Sequence, residues 1–274
     1  MTSATNLSTA KKIATKFSNL PQVIAVTLAG SQVANVFDSF SDLDIYVYTR
    51  AEIPTDFRAN IAREFATRIE IDNQFWEPGD EFVDINSGRG IDIMYRSPDW
   101  IESQLENVLV EYQASVGYST CFWWNIVHSN LLYSRDGWFE KLQRTANQPY
   151  PELLRRAIVA KNYPILRKNI SSYFHQIEVA ISRNDIIAIN HRIAALMASY
   201  FDIIFAANYV LHPGEKRLIQ YAKSLCSKLP VGMEENINEV ISASYLSENQ
   251  SLLAKINILM DALDRLLSNE KLLV

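Results

Sequence analysis

The stretch Asp42-Leu43-Asp44-Ile45-Tyr46-Val47-Tyr48 alternates acid or tyrosine with aliphatic residues without a break. Side chains on a β-strand point alternately to opposite faces, so this period fits a strand that buries Leu43, Ile45 and Val47 and sets both aspartates on the other face. The surrounding segments obey the same logic. Val23 to Ala29 reads as a strand and Thr55 to Thr67 as an amphipathic helix. Ile69 to Trp76, Glu81 to Ile85 and Ile91 to Arg96 read as three consecutive antiparallel strands, separated by the turn-forming runs Glu77-Pro78-Gly79-Asp80 and Asn86-Ser87-Gly88-Arg89-Gly90.

Beyond Ser97-Pro98 strand signals stop, and apolar residues recur at three- and four-residue spacing. Helices are predicted over Asp99 to Tyr112, Tyr118 to His128, Arg135 to Ala146, and Pro151 to Ile181 with a break near Pro164. Further helices are predicted over Asp185 to Tyr209, Glu215 to Lys228, Glu234 to Leu246 and Asn249 to Leu267. The fold class expected is α+β: a mixed β-sheet with flanking helices over residues 1–97, then a helical bundle over 98–274, with an active site in the cleft between them. A chain of 274 residues, 48% hydrophobic and 21% charged, has enough apolar material for two such cores.

Several function classes are disfavoured. Cys121 and Cys226 lack metal-ligand spacing and read as reduced core thiols. The polar start, Met1 to Ala10, lacks the apolar core of a secretory signal, so a cytoplasmic location is expected. Ile186 to Val210 is long enough to span a bilayer but carries Arg192 and Asp202, which fits a buried bundle helix better than a membrane. With a net charge of −5 and no Lys/Arg-rich block, a long nucleic-acid partner is not expected. Whether the chain forms a homodimer is left open by composition.

The chemistry concentrates in Leu28-Ala29-Gly30-Ser31, followed ten residues later by Asp42-Leu43-Asp44. Residues two apart on a strand share a face with Cβ atoms roughly 6.5–7 Å apart, near enough for both carboxylates to ligate ions about 3.5–4 Å from each other. A third acid, Asp92, lies between Ile91 and Ile93. If its strand neighbours that of Asp42 and Asp44, the strand spacing of about 4.8 Å makes one cluster of the three. Such acids repel one another unless a divalent cation sits among them, and oxygen-only ligands favour Mg²⁺. At Gly30 the backbone can approach an anion closely, and Ser31 can donate to the same phosphate.

A Gly-Ser turn, an Asp-x-Asp and a later third acid together resemble the signature of the DNA polymerase beta-type nucleotidyltransferase superfamily. The segment is similar above all to kanamycin, lincosamide and streptomycin nucleotidyltransferases, which append a helical domain. The resemblance covers roughly Val23 to Tyr95. It implies that Gly30 and Ser31 bind the triphosphate, that Asp42 and Asp44 ligate two Mg²⁺ ions, and that Asp92 is the third carboxylate. The activity implied is transfer of a nucleoside monophosphate from ATP or another nucleoside triphosphate to an acceptor hydroxyl, releasing pyrophosphate. The acceptor expected is a small antibiotic-like molecule. Nucleotidylation of a protein or tRNA, or nucleotide binding without turnover, are the alternatives.

Lys216 and Arg217 of Leu211-His212-Pro213-Gly214-Glu215-Lys216-Arg217 are expected in the first turn of a helix, where cations oppose the dipole and an anionic partner such as a triphosphate would compensate. Asp92 is the first choice as base for the acceptor hydroxyl, with Glu102 and Glu111 as alternatives. His128, His175, His191 and the run Phe122-Trp123-Trp124 read as structural.

Overall fold

The computed structural model describes residues 2–29, 42–75, 77–245 and 249–273. The elements begin with α1 (Thr2–Ser18), β1 (Val23–Ala29), β2 (Leu43–Thr49), α2 (Thr55–Phe65), β3 (Ala66–Asn73), β4 (Gly79–Asp84) and β5 (Gly90–Arg96). Next come α3 (Pro98–Leu109), α4 (Cys121–His128), β6 (Asn130–Ser134) and α5 (Trp138–Ala146). The chain ends in α6 (Glu152–Arg167), α7 (Tyr173–Ser182), α8 (Ile186–Ala207), α9 (Leu218–Leu225), α10 (Met233–Tyr245) and α11 (Asn249–Asn269). Packing divides the chain into two compact units, Met1–Leu105 with Asn125–Gln148, and Glu106–Trp124 with Pro149–Val274.

The first unit is built on a mixed sheet in the order β3-β4-β5-β2-β1-β6. Among the described residues its pairings are antiparallel except that of β2 with β5. One sheet face carries Val26, Leu28, Leu43, Ile45, Val47, Ile91 and Ile93, and packs with Ile13 and Phe17 of α1 and Ile61 and Phe65 of α2. Each aliphatic side chain so buried contributes roughly 1.5–3 kcal/mol. A buried polar network ties the β3–β4 hairpin to this core. Arg58 of α2 donates to Asp80 at 3.0 Å and Asp72 at 2.9 Å, and the Tyr95 hydroxyl donates to Asp80 at 2.6 Å. Gly79 is required beside it, because a Cβ there would lie 2.5 Å from the backbone oxygen of Ile93.

The sequence reading missed α1, although Leu7, Ala10, Ile13, Ala14 and Phe17 follow helical spacing and the last four are buried. It also missed β6. The segment Leu131 to Ser134, which falls between two predicted helices, pairs antiparallel with β1, and Arg135 fixes it by donating to the carbonyls of Val23, Ser18 and Leu20. Pro164 does not break its helix: it lies inside α6, and the interruption falls at 168–172. The helix expected from Glu215 begins at Leu218 instead, because Arg217 takes the left-handed conformation (φ 58°) and ends up as its N-cap.

In the second unit, α8 packs against α6 and α7, and α10 against α11. Among the described residues no helix is long and apolar enough to cross a membrane. Asp202, the acid inside the apolar α8, is 1% exposed and accepts hydrogen bonds from Ser119 N (3.1 Å), Ser119 Oγ (2.7 Å) and Asn162 Nδ2 (3.2 Å). Asn162 also holds the backbone of Gly117 and Ser115 at 2.9 Å each, so one buried cluster joins the 115–119 loop to two helices.

Burial pushes the Asp202 carboxyl up to about 7, against the pull of those three donors. With the folded value above the unfolded one, the folded state binds the extra proton between pH 4 and 7, and stability falls as pH rises through that window. Denaturant unfolding of wild type and Asp202→Asn at pH 5 and pH 8 checks this. We expect the wild type to lose on the order of 2 kcal/mol more than the variant across the interval, and equal losses would contradict it.

Candidate active site

The parallel register of β2 on β5 sets Leu43 beside Ile91, Asp44 beside Asp92 and Ile45 beside Ile93. Laterally paired residues share a face, so Asp44 and Asp92 stand next to each other on the side of the sheet opposite the aliphatic core. The acids are there because their neighbours are not: a strand that buries Leu43, Ile45, Ile91 and Ile93 has no choice about where Asp44 and Asp92 point. Asp42, two residues before Asp44, is exposed and lies against Gly90, where a Cβ would come within 2.5 Å of its Oδ1. Gly90 thus leaves open the space that the Asp42 carboxylate occupies, and a side chain there would make that carboxylate move.

The row of acids extends further than the sequence reading foresaw. Glu81 of β4 pairs with Asp92, and Glu70 of β3 pairs with Glu81. Two cavities border this row. One of about 140 Å³ is lined by Asp44, Asp92, Glu81, Asn73 and Glu77 among others. The second, about 380 Å³, is lined by Asp42, Asp92, Glu81, Glu70, Arg68 and Gly90 among others. Asp92 and Glu81 thus face both. Glu81 is oriented by Asn73, whose amide donates to it at 2.6 Å. Its signal in the sequence was its place at the head of the strand-like run Glu81 to Ile85, but only the register of β4 on β5 reveals that it meets Asp92.

Further along the same face the character changes from acid to aromatic. Tyr46 follows Asp44, and the guanidinium of Arg96 lies 3.7 Å from the centre of its ring. Arg96, 4% exposed, is held by a double hydrogen bond to Glu77 at 2.8 Å on each arm. Burial is the main cause that pushes the Tyr46 phenol up to about 12, so it is neutral at physiological pH. Tyr48 is covered by Trp138 and Phe139 of α5, with ring centres 5.2 and 5.5 Å away. That end of the face is closed by packing, whereas the acid end borders the cavities.

The other sequence candidates fall elsewhere. Gly30 and Ser31 lie outside the described residues. Ala29, just before them, pairs with Asp44, so the chain leaves β1 beside the acids. Glu102 accepts a hydrogen bond from the Trp138 indole at 2.7 Å, an engagement that favours a structural part for it over that of base. Lys216, Arg217 and Glu111 belong to the second unit. Lys216 is exposed, and it precedes α9 with Arg217 instead of occupying its first turn, so the dipole argument for an anion at these two residues loses its basis.

Among the described residues no three His, Cys, Asp or Glu side chains gather closely enough to hold a metal ion as they stand. The donor set nonetheless suits Mg²⁺: carboxylate oxygens only, two of them side by side in register. A cation between like-charged carboxylates would offset their mutual repulsion.

No protein-family model matches the chain, and no curated protein does. Among solved structures the chain is similar to a nucleotidyltransferase-like protein from Exiguobacterium sibiricum 255-15, at 11% identity and a TM-score of 0.43, over 96% of this chain and 74% of that one. It is also similar to a STING-associated CdnE c-di-GMP synthase from Capnocytophaga granulosa, at 16% identity and a TM-score of 0.30, over 97% of this chain and 82% of that one. Likeness at this level carries no functional argument, and the site stands on its own geometry.

The contact between Gly90 and Asp42 gives a test of that geometry. A Gly90→Ala chain keeps an ordinary backbone conformation but displaces the Asp42 carboxylate. Titration with Mn²⁺ is expected to show affinity about tenfold weaker than wild type, with thermal stability nearly unchanged; unchanged affinity would mean that ion binding does not depend on this position of the Asp42 carboxylate.

Proposed function

We propose that the chain is a Mg²⁺-dependent nucleotidyltransferase, moving a nucleoside monophosphate from a nucleoside triphosphate to the hydroxyl of a small acceptor of the aminoglycoside or lincosamide sort. The observation that carries this reading is the in-register pair Asp44 and Asp92, with Asp42 two residues away on the same face and cavities alongside. Its support from sequence is the Gly30-Ser31 turn that follows the strand paired with Asp44.

Asp42 and Asp44, with Asp92, would hold the metal, which supplies charge neutralisation of the triphosphate and acidifies a bound hydroxyl. The residues of the chain do the rest. Asp92 takes the proton from the acceptor hydroxyl as its oxygen attacks the α-phosphorus in line. The bond from the α-phosphorus to the bridging oxygen breaks, and pyrophosphate leaves with its electron pair. Gly30 and Ser31 cradle the phosphates through backbone N–H groups and the serine hydroxyl. The net charge of −5 and the carboxylates Glu70 and Glu81 beside the site speak for an acceptor other than a long nucleic acid. Lys216 and Arg217 are proposed as triphosphate contacts on the weaker ground of their charge alone.

Pyrophosphate release from each of the four nucleoside triphosphates with Mg²⁺, over a pooled panel of hydroxylated antibiotics, tests this reading. Release is expected for the wild type and a loss of at least a hundredfold for Asp42→Ala/Asp44→Ala, a factor typical of removing charge stabilisation from a transition state. Binding of a nucleoside triphosphate without release would favour a nucleotide-binding regulator, and no binding would end the proposal.

A further inference from the structure

In the second unit, α7 and α8 are joined by a short turn, and along the pair lies a cavity of about 470 Å³. It is larger than either cavity beside the acids and falls within the range of small-ligand sites, roughly 300–1,000 Å³. Ala180, buried, and Ala188, half-buried, line it with short side chains that leave room above them. Arg183 and Arg192 line it from exposed positions.

The turn that carries Arg183 is fixed. The backbone N–H groups of Arg183 and Asp185 donate to the Ala180 carbonyl at 3.2 and 2.9 Å, and the Asp185 carboxylate caps α8 by accepting from the Ala188 N–H at 3.0 Å. Asp185, the acid on the cavity wall, is thus engaged with the helix. Glu178 is engaged with His175, also on the wall, at 3.1 Å. Among the described residues neither Arg183 nor Arg192 forms a hydrogen bond, an ion pair or a ring contact. The contrast with α6 is sharp: there Arg155, Arg156 and Arg167 reach Glu270, Glu152 and Asp264 at 3.0, 2.7 and 2.6 Å. In a chain of net charge −5 acids are plentiful, yet this cavity brings none of them to its two arginines.

A guanidinium is charged throughout the physiological range and presents its N–H donors in a fork that fits phosphate. Two of them bordering one cavity repel each other, and an anion between them would offset that repulsion. A ligand that meets both needs negative charge spread over more than one group, as a polyphosphate chain has. We propose that the α7–α8 cavity binds a phosphorylated small molecule carrying a diphosphate or longer chain, with Arg183 and Arg192 as its phosphate contacts. The site lies wholly within the second unit and needs no metal, so it stands or falls apart from the nucleotidyltransferase reading.

Isothermal titration in EDTA, which removes any divalent ion from the acids, tests the proposal with inorganic tripolyphosphate, ATP and orthophosphate. The chains compared are wild type, Arg183→Gln, Arg192→Gln, the double variant, and Arg265→Gln, an exposed arginine of α11 that controls for diffuse attraction. The wild type is expected to bind tripolyphosphate and ATP more tightly than orthophosphate, each single variant roughly tenfold more weakly, and the double variant not measurably. Arg265→Gln should bind as the wild type does, and all variants should keep its thermal melting profile, since neither arginine of the cavity holds another part of the fold. Tighter binding of ATP than of tripolyphosphate would mark the ligand as a nucleoside polyphosphate, and equal binding would show that the phosphate chain alone is read. No binding of tripolyphosphate by the wild type, binding that the double variant retains, or an equal loss in Arg265→Gln overturns the proposal.

Discussion

The parallel pairing of β2 with β5 is the constraint on which the first unit depends. These strands bring Leu43, Ile45 and Val47 beside Ile91 and Ile93, and that aliphatic sheet face is what α1 and α2 cover. Because the side-chain period is two, a slip of one residue would turn the isoleucines to solvent and the aspartates into the core, so the hydrophobic term fixes the register. The same register sets Asp44 beside Asp92. Placement of the acids is thus a by-product of core packing, and the free energy that holds them near each other comes from the opposite face of the sheet.

Two buried arginines secure what surrounds the acids. Arg58 reaches from α2 on the core side to Asp80 and Asp72, while Arg96 grips Glu77 on the side of the acids and stacks on Tyr46. The β3–β4 hairpin is therefore clamped from both faces of the sheet. Burying a guanidinium costs several kcal/mol unless its partners are well placed, and removing one partner of such a pair typically destabilises by about 3–5 kcal/mol. That expense is consistent with a hairpin whose exact position matters to the site it borders.

Much of this was legible in the sequence, for physical reasons. Alternation over Asp42 to Tyr48 and Ile91 to Arg96 gave the strands and the facing of their acids, because both strands bury one face against helices. The antiparallel run β3-β4-β5 was legible from its turn-forming residues, although Gly79 and Asp80, expected in the first turn, open β4 instead. What was not legible depended on partners distant in the chain. Five-residue β6 sits among helices and acquires its state from pairing with β1, and Pro164 is accommodated within α6. Arg217 at positive φ shortens α9 in a way that spacing cannot show. Glu81 was invisible as a member of the acid row until its register on Asp92 was known. The 17-residue α1 is a different case, since its apolar spacing is present in the sequence but is masked by the polar, small-residue start of the segment.

The central claim is that the paired carboxylates of β2 and β5 hold divalent metal with a nucleoside triphosphate. The most direct measurement is a crystal structure of the chain with Mn²⁺ and a triphosphate blocked at its α–β bridge, located by anomalous scattering. The expected result is a peak within about 2–2.3 Å of oxygens from Asp44 and Asp92 and of the triphosphate. An ordered triphosphate whose metal lies away from these two acids would contradict it.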